Sequence, residues 1–205
     1  MVRIGVLGYG EQLPTGERLT AFLGERTAAA LSENRRGNAR IETLLGFSLL
    51  AMMVPEADLA AVTRTVAGRP FFAGRPDLDF SLTHCQGLVA CAVAQGDDPR
   101  VGVDAEPAGG QTAIAMQRIA ERWFSREGIA EWERDGRSEK TFLALWTLKE
   151  ATAKWMGGGL RDLREADPSA LARATYRVGN VVLSAVCDPG EKLPAEVERF
   201  SLPCA

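Results

Sequence analysis

The sequence predicts an α+β fold, and three observations carry that prediction. Stretches of helical period and of strand period occur in both halves of the 205 residues. In each half, helices run ahead of strands that turn back on themselves, as antiparallel hairpins do. A strong turn, Gln95-Gly96-Asp97-Asp98-Pro99, falls near the middle of the chain. It divides residues 1–97 from residues 98–205, two halves expected to form one integrated unit. A doubly wound parallel sheet would need helices alternating with single strands throughout, and the order here does not supply that.

Arg3 to Tyr9 reads as the first strand. Pro14 and Thr15 open a helix expected to reach about Leu31, with Thr15 as N-cap and Glu17 in the first turn. After the basic loop Asn34-Arg35-Arg36-Gly37, a second helix runs from about Asn38 to Met53. Its Ile41, Leu44, Leu45, Leu49 and Met52 recur at spacings of three and four, and Pro55 stops it. Short strands follow at Val62–Ala67, Leu78–Thr83, Leu88–Ala94 and Val101–Glu106. Helices are expected over Thr112–Phe124, Arg126–Arg134 and Glu139–Met156, the last ended by Gly157-Gly158-Gly159. Two strands close the chain, Ala174–Val178 and Val181–Cys187, joined at Gly179-Asn180 by a hairpin turn. The sequence shows no internal repeat.

An apolar fraction of 46% and a charged fraction of 25% are ordinary for a globular protein with a sizeable core. The net charge of -3 argues against a dedicated nucleic-acid binder. Cys85, Cys91, Cys187 and Cys204 form no CxxC pair, and His84 is the one histidine, so a structural zinc site has little support. Nothing in their spacing requires a disulfide. The apolar run at the N-terminus is soon broken by glycines, unlike a signal peptide. No stretch approaches the roughly 20 apolar residues of a membrane span. The expectation is a cytoplasmic enzyme or binding protein with no membrane partner.

Three segments carry candidate chemistry. In Val101-Gly102-Val103-Asp104-Ala105-Glu106, the two acids share one strand face, roughly 6.5–7 Å apart at their α-carbons. A magnesium ion, which takes oxygen ligands, suits such a pair; the wet face of a strand end would look the same. Phe142, Trp146, Glu150 and Lys154 are spaced by four and form one helical stripe, aromatic first and ionic afterwards. Glu150 and Lys154 are either a surface pair or a site at the edge of the core, beside Gly157-Gly158-Gly159-Leu160, where a ligand can approach closely. In Phe80-Ser81-Leu82-Thr83-His84-Cys85, hydroxyls and an imidazole together with Arg69 could cradle a phosphate, or His84 could simply end a strand. A nucleophilic pair of His84 with Cys85 is disfavoured, because neighbours on a strand point to opposite faces. Gly5 to Gly10 lacks the Gly-Lys-Ser/Thr ending of a P-loop and has the wrong glycine spacing for a dinucleotide fingerprint.

Taken in order, Gly68-Arg69-Pro70, Phe80 to Cys85, Gly102-Val103-Asp104-Ala105-Glu106 and Trp146-Thr147-Leu148-Lys149-Glu150-Ala151-Thr152-Ala153-Lys154, followed by Gly157 to Leu160, resemble the phosphopantetheinyl transferase superfamily. The resemblance covers about residues 68–160. It implies transfer of 4'-phosphopantetheine from coenzyme A to a serine of an acyl or peptidyl carrier protein, with release of 3',5'-ADP. The length resembles the longer type, the one that activates surfactin synthetase. That type implies two similar halves in one chain, an intramolecular pseudo-dimer that is a monomer with its site in the cleft between the halves. By resemblance, Asp104, Glu106 and Glu150 hold magnesium, with manganese as the alternative. Glu150 also helps deprotonate the serine, Lys154 neutralises the pyrophosphate, and Arg69, Thr83 and His84 surround the phosphates and nucleotide end of coenzyme A.

The sequence departs from the family pattern at several positions. Arg69 stands for the usual lysine, Ser81 for an asparagine, and Thr83 and Cys85 for the two serines flanking the histidine. Glu127 falls one position early for the further acid of the family and receives no role. Arg35, Arg36 and Arg40 have no fixed counterpart among its N-terminal basic residues. The competing reading is a catalytically weak member of the same fold that binds coenzyme A or a carrier protein.

Overall fold

Alternation along each long strand gives the molecule two kinds of interior. β1 (Val2–Gly8) turns Val2, Ile4 and Val6 to one face and Leu7 to the other. The same division runs along β4 (Leu78–Cys85) and β5 (Leu88–Gln95), which form a hairpin. With the short β9 (Glu198–Phe200) these strands make a first sheet in the order β4-β5-β1-β9, in which β9 lies parallel to β1. A second sheet, all antiparallel, contains β6 (Val101–Pro107), β8 (Val181–Cys187) and β7 (Ala172–Val178), in the order β6-β8-β7. These coordinates are a computed structural model describing residues 1–10 and 12–203, with Gly159 and Leu160 described by backbone alone. Cys204 lies outside the described residues.

The inner faces of the two sheets share one core. Ile4 and Val6 of β1 and Ala90 and Ala92 of β5 meet Val101 and Val103 of β6 and Leu183 and Ala185 of β8. Helices cover the outer faces. α1 (Gly16–Leu23), α2 (Glu25–Leu31) and α3 (Gly37–Met53) build a second core over the first sheet. On the second sheet α4 (Ala113–Trp123), α5 (Arg126–Arg134) and α6 (Glu139–Met156) surround Phe142, Leu143 and Trp132. The result is a mixed α+β architecture of helices, sheet, sheet and helices. Each sheet is built by the same succession of strand, helices and hairpin. Each places its first strand beside the second hairpin strand, as β4-β5-β1 and β7-β8-β6.

The predicted elements over 126–134, 139–156 and 181–187 match α5, α6 and β8. Two expectations need correction, and two short strands were not expected. The helix expected over 15–31 starts as predicted, with Thr15 accepting from the Arg18 amide at 3.3 Å, but it breaks at Gly24. There a φ of 81° ends one helix and starts the next. The strand expected over 62–67 stops at Arg64, because Thr65 to Gly68 turn the chain and close a two-stranded ribbon of β2 (Val62–Arg64) and β3 (Pro70–Phe72). β3 and β9 have no predicted counterpart. Among the described residues, no helix is long and apolar enough to cross a membrane, and Cys85, Cys91 and Cys187 are free thiols.

Two packing features place the site. A Cβ on Gly102 would stand 2.0 Å from the Ala151 carbonyl oxygen, so only glycine lets β6 lie this close under α6. β4 meets β6 through side chains: Asp79 accepts from the Val101 amide at 2.9 Å and Ser81 Oγ from the Val103 amide at 3.2 Å.

Candidate active site

β6 carries Val101, Val103 and Ala105 into the inter-sheet core, which leaves Asp104 and Glu106 facing α6. On α6, Glu150 and Lys154 lie one turn apart on the face that looks back at them. Ser138 caps the start of that helix by accepting from the Thr141 amide, and Gly157, with φ 100°, ends it. One carboxylate oxygen from each of Asp104, Glu106 and Glu150 lies within 4.8 Å of the other two.

The electrostatics of this cluster are lopsided. Lys154 Nζ donates to Asp104 Oδ1 at 2.7 Å and to the Val103 carbonyl at 3.1 Å. Thr83 Oγ1 donates to the same Asp104 oxygen at 3.0 Å. Asp104 is 4% exposed, and its other oxygen, Oδ2, is buried without a hydrogen-bond partner among the described residues. Burial, followed by the charge of Asp104, pushes the Glu150 carboxyl up to about 8, against the opposing effect of Lys154. Burial and Asp104 raise Glu106 as well. One ammonium therefore faces three carboxylates, and a buried acceptor is left over. A divalent cation with oxygen-ligand chemistry fits this donor set, since it would satisfy Asp104 Oδ2 and relieve the repulsion.

Beside the cluster lies a cleft of about 290 Å³. Its walls are α3, the β2–β3 ribbon, β4 and the end of α6, and it is lined by Arg35, Arg64, Arg69, His84 and Lys154 together with Glu42. Thr83 and Lys154 border both the cleft and the acidic cluster. His84 points toward α3, with Nε2 3.2 Å from Glu42 Oε2, and its side chain is 54% exposed. Ser81 is engaged by the Val103 amide, and Arg69 lines the wall with its guanidinium turned into the protein. Burial, with Glu106 and Asp104 nearby, pushes the Cys85 thiol up to about 12, which leaves little reactive thiolate.

Sequence reasoning missed two charged lining residues. Arg64 reaches the cleft through the β2–β3 ribbon, where burial and neighbouring Arg35 lower its pKa. Nothing local marks it. Glu42 had a weak signal, as the one acidic residue in α3. Of the N-terminal basic residues, Arg35 faces this cleft, whereas Arg40 borders a separate depression. Glu127 lines a third, in the C-terminal half.

Residues 100–192 match the family model described as the 4'-phosphopantetheinyl transferase superfamily. The chain is 29% identical over 157 residues to a 4'-phosphopantetheinyl transferase of Bacillus subtilis, a match covering 69% of this chain and 67% of the relative. It is 28% identical over 183 residues to the 4'-phosphopantetheinyl transferase AcpT of Salmonella typhi, covering 87% and 92%. Over 194 residues it is 28% identical to the 4'-phosphopantetheinyl transferase psf-1 of Bacillus pumilus, covering 91% and 77%. The segment matched by the family model contains Asp104, Glu106, Glu150 and Lys154, and the likeness to 4'-phosphopantetheinyl transferases extends across most of the remaining chain.

Proposed function

We propose that this protein is a holo-[carrier protein] synthase, transferring 4'-phosphopantetheine from coenzyme A to a serine of an acyl or peptidyl carrier protein. The observation that carries the reading is the unpartnered, buried Asp104 Oδ2 among three converging carboxylates, set beside a cleft rich in cations. Asp104, Glu106 and Glu150 would hold a divalent cation, magnesium or manganese. Bound there, it supplies neutralisation of charge on the pyrophosphate.

The remaining work falls to side chains. A bond forms from the serine oxygen to the β-phosphorus of coenzyme A, and the bond to the departing 3',5'-ADP breaks. The serine proton goes to Glu150, directly or through a water. Lys154 balances negative charge at the pyrophosphate from its place beside Asp104. Thr83 and His84, with Arg64 and Arg35, face the phosphates and the nucleotide end of coenzyme A from the N-terminal side of the cleft.

We place the division between halves at residues 97 and 98 and read the chain as the longer, monomeric type, a pseudo-dimer. The equal strand order of β4-β5-β1 and β7-β8-β6 supports this, as does a cleft lined from both sides of the division. In this reading β9 returns from the second half to complete the first sheet. The test is the intact mass of apo carrier proteins after incubation with this protein, coenzyme A and magnesium, beside a chelator control. A chelator-sensitive gain of one phosphopantetheine group is expected. No gain on fatty-acid or peptide carriers, with coenzyme A still bound, would replace this reading by a binding function.

A further inference from the structure

We infer that Arg69 is a positioning residue, a strut between the strand and the helix that bear the acidic cluster, and that it makes no contact with the phosphates of coenzyme A. The inference rests on the reading of the site given above. It departs from what the Gly68-Arg69-Pro70 segment implies by resemblance, and the geometry supplies the reason.

The Arg69 guanidinium is already engaged by five acceptors. Nη1 donates to the carbonyls of Lys154 at 2.7 Å and Trp155 at 3.1 Å, which lie in the last turn of α6, where carbonyls lack partners within the helix. Nη2 donates to Asp79 Oδ2 at 2.5 Å, to the Val101 carbonyl at 3.1 Å and, at the limit of reach, to the Phe80 carbonyl at 3.4 Å. The paired side chains of Arg69 and Asp79 are 15% and 14% exposed. Turning the guanidinium toward a phosphate would strand a buried carboxylate and bare the end of α6. Breaking a buried pair in that way is far costlier than losing an exposed one. Asp79 also cancels the charge that a phosphate would seek.

The position of the strut relates it to the chemistry. Three alternate side chains of β4 replace a backbone ladder along β6: Asp79 accepts from the Val101 amide, Ser81 accepts from the Val103 amide, and Thr83 donates to Asp104. Arg69 ties that same seam to α6 at Lys154, the residue whose ammonium reaches Asp104. Asp104 and Glu106 come from β6 and Glu150 from α6, so the strut sets the spacing between the two sources of carboxylate. A lysine offers one point of charge in place of a planar fork and cannot span helix end, strand and carboxylate at once.

The test is steady-state transfer by R69K, D79N and the double variant, with coenzyme A varied at saturating apo carrier and with folded state checked by circular dichroism. Each single variant is expected to lower kcat about 10-fold or more, because misplacement of the order of 1 Å is costly to catalysis. KM for coenzyme A should stay within about threefold, and the double variant should be no worse than the poorer single, as for two residues acting as one unit. A rise in KM of about 10-fold with kcat retained in R69K would overturn the inference. So would a lower KM in D79N, since a freed guanidinium would then be recruiting phosphate. Calorimetric binding of coenzyme A separates the inference from the reading beneath it. If the wild-type protein transfers nothing, that reading fails, and the dissociation constant of R69K still decides the role of Arg69: unchanged within about threefold supports the strut, and about 10-fold weaker overturns it.

Discussion

In the first sheet, α3 ends above Gly5 of β1, and in the second, α6 ends above Gly102 of β6. Both helix ends are held by an arginine. Arg3 donates to the Met53 carbonyl at 2.7 Å, and Arg69 donates to the Lys154 carbonyl at 2.7 Å. Beyond the glycines the two regions part. Two residues on, β1 has Leu7 packed in the core under the helices, whereas β6 has Asp104, equally buried and short of a partner. α3 presents Leu44, Leu45, Leu49 and Leu50, while α6 spends inward positions on Thr147, Lys149 and Glu150. Most of those polar groups are satisfied: Thr147 bonds Ser184, and Lys149 Nζ donates to the Ala166 carbonyl at 2.9 Å. Among the described residues two buried side-chain atoms lack a partner, the neutral Ser48 hydroxyl of α3 and the Asp104 Oδ2 of the acidic cluster. A shared frame thus separates what holds the protein together from what acts by charge, because an unpartnered buried carboxylate costs far more than an unpartnered hydroxyl.

The sharpest way to break this comparison is to change one acid on each long helix. Glu150→Gln, which removes a charge and keeps the shape, should lower transfer by about 10²–10⁴-fold with the melting temperature held or raised. Glu42→Gln on α3 removes the partner of a largely exposed histidine and should change the rate by less than about 10-fold. Initial rates on a single apo carrier protein give both numbers. Near-normal activity of Glu150→Gln would remove the metal and base assignments together.

The glycines come next. A Cβ at Gly102 meets backbone, the Ala151 oxygen at 2.0 Å, and neither β6 nor α6 can yield without moving the cluster. Gly102→Ala should cost about 3 kcal/mol or more. A Cβ at Gly5 meets the Met53 sulfur at 2.5 Å, the far end of a flexible side chain, and Gly5→Ala should cost about 1 kcal/mol. Urea unfolding of both variants measures the difference, and equal losses would show that β6 and α6 are not the tighter contact.

What the sequence disclosed follows from how local each signal is. Asp104 and Glu106 were legible because strand period alone puts them on one face, and Glu150 and Lys154 because four residues make one helical turn. α6 was legible through the four-residue spacing of Phe142, Trp146, Glu150 and Lys154 and through Gly157, which ends it. Gly24 hid the break between α1 and α2, since a glycine inside a helical pattern is ambiguous until its φ is known. β9 is three residues long and pairs with β1 from the far end of the chain, so no local pattern announces it. Arg64 and Glu42 reach the cleft only through tertiary packing. The inward turn of Arg69 depends on Asp79, ten residues away, and on a helix end 85 residues away.

Dependence on pH separates the two regions by sign. The Glu150 carboxyl ionises near 4.5 when unfolded and at about 8 when folded. Between those values the folded state keeps a proton that the unfolded state has released, so the metal-free protein should lose stability as pH rises through that window. Glu106, raised by burial and by Asp104, acts in the same direction. A loss of about 3 kcal/mol between pH 5 and 8 is expected, flattened by Glu150→Gln and reversed by magnesium. Denaturant titrations in chelator at several pH values provide the measurement; a flat profile in the wild-type protein would mean that Glu150 is solvated like any surface acid.

Glu198, on the strand that only the first sheet possesses, should behave in the opposite way and weakly. Arg3 grips its carboxylate with two hydrogen bonds and holds it below its usual range, so its contribution is present above about pH 4.5 and is lost as pH falls below that. The side chains of the pair are 36% and 41% exposed, so water and salt screen most of the attraction. Glu198→Gln should therefore cost about 0–1 kcal/mol, less at high salt than at low. Arg3 retains the Met53 carbonyl in that variant, so the end of α3 stays held and the effect reports the ion pair alone. A loss above about 2 kcal/mol, insensitive to salt, would mean that β9 depends on this pair for its place in the sheet. The first sheet would then rely on a single polar contact for the place of its edge strand.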